Sequence, residues 1–368
     1  MTPMTSRERV QRAIEFGGPD RVPIYRVNIF KSDFMTYFTL PAKDWEPAAP
    51  YYPYVYQEII QFGLWRPRPR LPRGWQRQKR MAIDDWGVLW GIDPKVSTRG
   101  CVAKGSLEDG WHLLDRLPIP DPRDPSRYRW CRMGWTKRLG RHRYRIGTEA
   151  TFLFERFHFL RGFENAMADF YEHPAETERL LDRITDYFIG LVETFHSYGM
   201  DGFSTTDDLG TQDNPFLSPA MFARFFTPRY QRVIGRCHEL GMRFMLHSCG
   251  RVFKLIPELI RAGVDVLQFD SPNMAGGVKE LGRSFGGKVA FANVVDIQEV
   301  LPRGDPVEIE NYVKEMIAEL GSFSGGLIGI QYADKKSIGV NRRIEKMVWR
   351  AYDQWGRYPS TGKSAGEK

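Results

Sequence analysis

The 368-residue sequence predicts an α/β fold, a (β/α)8 TIM barrel with a long insertion or lid after its first strand. Two observations lead there. From about residue 143 onward, short apolar strands alternate with amphipathic helices, which implies a parallel sheet with right-handed crossovers. An open dinucleotide-binding sheet would ordinarily advertise Gly-x-Gly-x-x-Gly after its first strand, and no such turn is present. Counting Val22 gives seven strands, with an eighth, short and polar, placed near Gly339; eight units favour closure into a barrel.

The elements follow in order. Thr5-Ser6-Arg7-Glu8 is a capping box, and Val10, Ala13, Ile14 and Phe16 give the first helix one apolar side before Gly17-Gly18-Pro19 ends it. Val22 to Val27 reads as a short strand. Residues 31–140 carry eight of the ten tryptophans, many prolines and little periodicity, and are read as the insertion or lid. Strands then fall at Tyr144–Thr148, Gly202–Thr206, Arg243–His247, Val264–Phe269, Val289–Ala292 and Leu327–Ile330. Between them stand helices at Pro174–Tyr198, Pro219–Leu240, Phe253–Ala262, Gly277–Phe285 and Pro306–Leu320. Residues 1–358 are expected to form one domain and 359–368 a disordered tail.

Composition narrows the class. With 42% hydrophobic and 14% aromatic residues the chain can bury a sizeable core. No apolar run approaches the roughly 18 residues a membrane span needs, and the first residues do not resemble a signal peptide, so a cytoplasmic protein is expected. Cys101, Cys131, Cys237 and Cys249 are too scattered for a disulfide framework. The net charge of +8 is concentrated between Arg66 and Arg80 and between Arg123 and Arg145. Such patches favour an anionic partner, but neither sits in a nucleic-acid reader motif, so no nucleic acid is expected.

In such a barrel, the residues that follow the strands gather at one mouth. Here they are polar: Glu149, then Asp207 and Asp208, then His247, Ser248 and Cys249, then Asp270, Asn293 and Asp296, and finally Gln331 and Tyr332. An aspartate after a strand is commonly a helix cap, which is the plain reading of Asp270. The Asp207-Asp208 pair is harder to dismiss, because adjacent carboxylates repel and need donors, a cation or a shared proton. His247 and Cys249 alternate on extended backbone and so point the same way, as two ligands of one zinc ion would.

Here the sequence resembles the uroporphyrinogen-decarboxylase superfamily. The likeness runs through Thr5-Ser6-Arg7-Glu8-Arg9-Val10, Pro19-Asp20-Arg21-Val22-Pro23, Asp85-Trp86-Gly87-Val88 and Pro120-Asp121-Pro122. It is densest in Asp207-Asp208-Leu209-Gly210-Thr211-Gln212, Ser218-Pro219-Ala220-Met221-Phe222, His247-Ser248-Cys249-Gly250, Gly263-Val264-Asp265-Val266-Leu267 and Val295-Asp296-Ile297-Gln298. The Arg-Gln-Ala-Gly-Arg run of true decarboxylases is missing, since the first strand reads Val22-Pro23-Ile24-Tyr25-Arg26-Val27-Asn28. The resemblance is therefore closer to the cobalamin-dependent methyltransferase or O-demethylase branch.

That branch implies transfer of a methyl group from a small donor, such as a methoxylated aromatic, to a corrinoid (cobalamin) carried by a partner protein. His247 and Cys249 match its first two zinc ligands. A third cysteine is absent, because the corresponding stretch reads Gly325-Gly326-Leu327-Ile328-Gly329-Ile330-Gln331-Tyr332, so Glu149, Asp207, Asp208 or water would complete the site. By location, Asp208, Glu149 and His247 are the expected catalytic groups, while Asp207, Gln212, Asn293, Gln331, Tyr332 and Arg26 are expected to bind substrate. The resemblance also suggests a homodimer. Two rival readings are a cofactor-free decarboxylase of a carboxylated ring and a non-catalytic partner of a corrinoid protein.

Overall fold

The computed structural model describes residues 3–26, 28–39, 81–91, 101–335 and 337–358. Eight parallel strands form a nearly closed barrel. They are β1 (Ile24–Tyr25), β2 (Phe34–Phe38), then, after three short strands outside it, β6 (Tyr144–Thr148), β7 (Gly202–Thr206), β8 (Arg243–His247), β9 (Val266–Phe269), β10 (Ala290–Asn293) and β11 (Leu327–Ile330). Their order round the barrel is β1-β11-β10-β9-β8-β7-β6-β2. The remaining strands, β3 (Met81–Ile83), β4 (Leu89–Gly91) and β5 (Cys101–Lys104), make a separate antiparallel sheet.

Two expectations are corrected. The eighth barrel strand is Phe34–Phe38, inside the stretch read as a lid, and it pairs along its whole length with β6. The region after Gly339 forms instead the helix Arg342–Trp355, capped by the Asn341 side chain on the Arg343 and Ile344 N–H groups. A smaller difference concerns Pro219–Leu240, which divides into Pro219–Phe225 and Thr227–Glu239. Pro228 has no N–H to give the Arg224 carbonyl, so the helix restarts there. The basic cluster from Arg66 to Arg80 and the tail 359–368 lie outside the described residues.

The excursion from the barrel thus runs between β2 and β6, and its described tryptophans act mainly as packing. Trp86 and Trp90 are buried, edge-on to Tyr187 at 4.8 Å and to Phe159 at 5.1 Å, and both side chains rest on helices of the barrel. Asp84 takes the Trp90 indole N–H at 3.0 Å and faces Arg156 at 3.4 Å, which ties the small sheet to the helix Leu153–Arg161. No described helix is long and apolar enough to cross a membrane.

The barrel interior is apolar below the mouth. Phe34, Ile146, Met245, Val266, Ala290, Ala292 and Ile328 meet there, and Val10 and Ile14 of the helix Ser6–Ile14 close the bottom. This cluster fixes which residue of each strand faces inward, and alternation fixes the rest.

Between β1 and β2 no ladder forms. Asp33, buried at 2% exposure, takes its place. Its N–H donates to the Ile24 carbonyl at 2.8 Å and its carboxylate accepts the Ile24 N–H at 2.8 Å. The same carboxylate receives Arg9 at 2.9 Å, Arg21 at 2.9 Å and the Ser6 hydroxyl at 2.7 Å. Asp33→Ala leaves the buried Arg9 with Asp20 as its one remaining carboxylate and the seam without its staple. Removing one partner of a buried pair costs about 3 kcal/mol or more. Urea unfolding should show that loss, and a loss within about 0.5 kcal/mol, typical of surface sites, would mean that the seam is held by other contacts.

Candidate functional site

A cavity of about 240 Å³ opens at the C-terminal ends of the barrel strands. It is lined by Thr148 from β6, Ser204 and Thr206 from β7, Met245 and His247 from β8, and Gln268 from β9. Asp208, Cys249, Asp270, Gln331 and Tyr332 line it from just beyond the strands, and Tyr25 and Arg26 close it at β1.

The inward register of β7 is Gly202, Ser204, Thr206, and the next member is Asp208. On β8 it is Met245, His247 and then Cys249. Each inward-pointing polar group is therefore the continuation of a buried stripe. The loops that carry them are locked together by two glycines. Gly250 has φ +86°, and a Cβ there would stand 2.1 Å from the Gly210 carbonyl oxygen, so the backbones after β7 and β8 touch. That contact lets the Cys249 N–H donate to Asp208 Oδ1 at 2.9 Å.

Asp208, His247 and Cys249 offer an oxygen, a nitrogen and a sulfur that all lie within 4.8 Å of one another. Nε2 of His247 stands 3.3 Å from Cys249 Sγ and 3.5 Å from Asp208 Oδ1. The other ring nitrogen, Nδ1, is hydrogen-bonded to Gln268 Oε1, and the Gln268 amide N–H donates to Asp270 at 2.9 Å. With its amide nitrogen committed to Asp270, Gln268 presents oxygen to the ring and so accepts the Nδ1 proton. In the neutral ring this leaves the Nε2 lone pair facing the sulfur and the carboxylate, the arrangement that orients a metal-ligating histidine.

Charge reinforces the cluster. Burial lowers the His247 pKa, but Cys249, Asp270 and Asp208 outweigh it and hold the ring well above its ordinary range. Burial acts to raise the Asp208 carboxyl, and its bonds to His247 and Cys249 reverse the sign, leaving it below its ordinary range. Burial pushes the Cys249 thiol up to about 12. Without a bound cation, then, the raised ring and the lowered Asp208 carboxylate form an ion pair beside Cys249.

The other predicted site residues divide. Gln331, Tyr332 and Arg26 line the cavity. Glu149 does not join it: it follows the inward Thr148 and so points outward, where its carboxylate receives Tyr187, Thr39 at 2.5 Å and Arg127 at 3.4 Å. Asp207 also points outward. It is wholly buried and accepts the Phe154 and Glu155 N–H groups at 3.0 and 2.8 Å and the Tyr230 hydroxyl at 2.5 Å. It caps the helix Leu153–Arg161, which has no cap of its own. Asn293 follows the inward Ala292 and lies fully buried outside the barrel interior, with both amide atoms unpaired. Gln212 is exposed, its carbonyl taking Arg251 at 3.4 Å.

Sequence reasoning missed Gln268 and Glu155. Gln268 was within reach, because it stands between Val266 and Asp270 on the inward register. Glu155 sits on a helix with no strand to announce it; buried, it accepts the Thr206 hydroxyl at 3.0 Å, and burial with Asp208 and Asp207 nearby holds its carboxyl well above the usual range.

The neighbouring aspartates should respond differently to substitution. Asp207→Ala strips a buried cap and orphans the Tyr230 hydroxyl, costing about 2 kcal/mol or more. Asp208→Asn should change stability by no more than about 0.5 kcal/mol while weakening metal uptake. Chemical denaturation of both variants checks this, and equal losses would contradict the division.

Comparisons with known proteins bear on the fold and the family. Residues 157–328 match the family described as Uroporphyrinogen decarboxylase (URO-D). The chain is similar to a methylated-thiol–coenzyme M methyltransferase of Methanosarcina mazei, 22% identical over 173 residues. That match spans 47% of this chain and 45% of the relative, so it covers about half the relative's length. Among solved structures, a methyltransferase from Methanosarcina mazei superposes with a TM-score of 0.61 at 15% identity, covering 95% of this chain and 99% of that one. The match to the uroporphyrinogen-decarboxylase family thus covers a little under half of this chain, and the proteins named here that it resembles are methyltransferases.

Proposed function

We propose that this protein is a methyltransferase that moves a methyl group from a small donor to a corrinoid protein, using a zinc ion held by His247, Cys249 and Asp208. The observation that carries the reading is the convergence of Nε2, Sγ and Oδ1 within 4.8 Å on the wall of the mouth cavity. Three protein ligands with a fourth position facing a cavity are the pattern of a catalytic zinc site, and a mixed nitrogen, sulfur and oxygen set suits zinc. Of the groups the sequence offered in place of a third cysteine, Asp208 has the required position. Glu149 and Asp207 are committed elsewhere.

Methyl transfer forms a bond from the acceptor to the methyl carbon as the bond from that carbon to the donor heteroatom breaks. The departing heteroatom keeps the electron pair and must be stabilised. Zinc held by these residues would supply a Lewis acid for that heteroatom. The chain's own residues do the rest. Gln268 and Asp270 fix the His247 ring, the Cys249 N–H fixes Asp208, and Gln331 and Tyr332 face the donor across the cavity. The chemistry of the acceptor follows from the superfamily resemblance, and the methyltransferases among the relatives support an enzyme of this type.

Purified protein should bind about one zinc per chain, the number a single three-ligand site holds, and His247→Ala and Cys249→Ser should lose both zinc and methyl transfer. Metal analysis and optical detection of the methylated corrinoid read the two effects. Full transfer by Cys249→Ser in a metal-free preparation would sink the zinc reading. Because the thiol is protonated well above neutrality and the His247 ring is held protonated well above its ordinary range, zinc must displace a proton from each. Affinity should therefore rise with pH, by about a hundredfold per unit while both protons are released. Calorimetry in buffers of different ionisation enthalpy measures that release.

A further inference from the structure

Arg26 stands at the C-terminal end of β1, while His247 and Cys249 stand at that of β8. In the order β1-β11-β10-β9-β8-β7-β6-β2, β8 is four strands from β1 in a ring of eight, which places the two directly across the mouth from each other. Both line the same cavity of about 240 Å³, below the size range of pockets for drug-sized ligands. A molecule filling it touches both walls.

The state of Arg26 is unusual for a largely buried guanidinium. Other buried arginines are tightly matched: Arg9 meets Asp33 at 2.9 Å, Arg161 meets Asp169 at 2.7 Å and Arg127 meets Asp85 at 2.5 Å. Among the described residues, the Arg26 side chain makes no hydrogen bond, and its Nε is buried without a partner. The nearest carboxylate, Glu345, is 4.0 Å away and is held by Lys335 at 2.9 Å. What the structure does supply is orientation. The guanidinium lies over the Trp349 indole, 4.2 Å from the ring centroid. Stacking of this kind fixes the plane of the fork while leaving its N–H edges free. A desolvated cation with idle donors is costly unless a ligand completes it.

We propose that Arg26, stacked on Trp349, is an anion-recognition site, so that the substrate is a small acid whose carboxylate or sulfonate docks there. This rests on the methyl-transfer reading in one respect only: it places the methylated heteroatom at the opposite end, against Asp208, His247 and Cys249. The bidentate fork suits a planar carboxylate, and a sulfonate offers the same paired oxygens.

Binding of (methylthio)acetate, (methylthio)methanesulfonate and the neutral 2-(methylthio)acetamide to the whole chain tests this by calorimetry. At least one acid should bind about tenfold to a hundredfold more tightly than the amide, the range for a charge-assisted pair. Preference for the carboxylate alone marks a planar subsite, and preference for both marks a general anion site. Arg26→Gln should abolish the preference, and Arg26→Lys should keep part of it. Equal binding of acids and amide, binding of none of them, or a preference surviving in Arg26→Gln overturns the proposal. The comparison within the unmodified protein stands even if a variant fails to fold. Charge preference without any methyl transfer would leave the anion site and remove the methyltransferase reading. Transfer from neutral donors without a charge preference would do the reverse.

Discussion

A buried carboxylate closes this barrel. Asp33 supplies both halves of the missing ladder between β1 and β2 and gathers Arg9, Arg21 and Ser6 onto one pair of oxygens. The pairing follows from the short connection between the two strands. The chain from Arg26 to Asp33 has room only for the single turn Ile29–Lys31, too little for the crossover helix that normally joins parallel strands. Ordinary βα geometry is therefore replaced by side-chain bonding. The stacked rings of Tyr25 and Phe34, 4.5 Å apart, and the 2.7 Å bond from the Tyr25 hydroxyl to Thr36 complete the joint. Because Arg26 directly follows this joint, the same carboxylate sets one wall of the mouth.

The opposite wall depends on a division of labour between adjacent residues. Asp207 holds the start of the helix Leu153–Arg161, and that anchoring fixes the backbone from which Asp208 turns into the cavity. A single alternation of side chains thus joins the helical layer to the site. The close approach of Gly210 to Gly250 fixes the separation of the oxygen and sulfur donors, with little left to side-chain freedom. Such rigidity suits a site that must hold three ligand atoms in place before a metal arrives.

Much of this was legible in the sequence. Four of the barrel strands agree with the residues assigned from apolar runs, because a strand buried on both faces reads as a continuous apolar stretch. The grouping of Asp208, His247 and Cys249 followed from strand ends sharing one mouth. Glu149, Asp207 and Asn293 were gathered with them because position along a strand was weighed and direction was not. A period of two already separates Thr148 from Glu149 and Ala292 from Asn293. Strand β2 was hidden by its surroundings: Phe34-Met35-Thr36-Tyr37-Phe38 is as apolar as any strand here, yet it stands too close to β1 for a standard unit. The Arg26–Trp349 contact had no local signal, since it joins residues from opposite ends of the chain.

That meeting of the ends has a consequence for how the molecule is assembled. Among the described residues β1 has no ladder partner except β11, and the Val22 N–H bonds to the Gly356 carbonyl at 2.8 Å. The first strand made is thus among the last to be paired, and it waits through the synthesis of everything between. Until then Ile24 and Tyr25 offer an open edge on the side that β11 will take, and Arg26 lacks the Trp349 ring on which it stacks. Contacts of such long sequence separation slow folding and prolong the exposure of unpaired edges. The mouth therefore cannot be completed before Leu327–Ile330 and Trp349 are in place, so a chain that has built most of its barrel still lacks its reaction chamber.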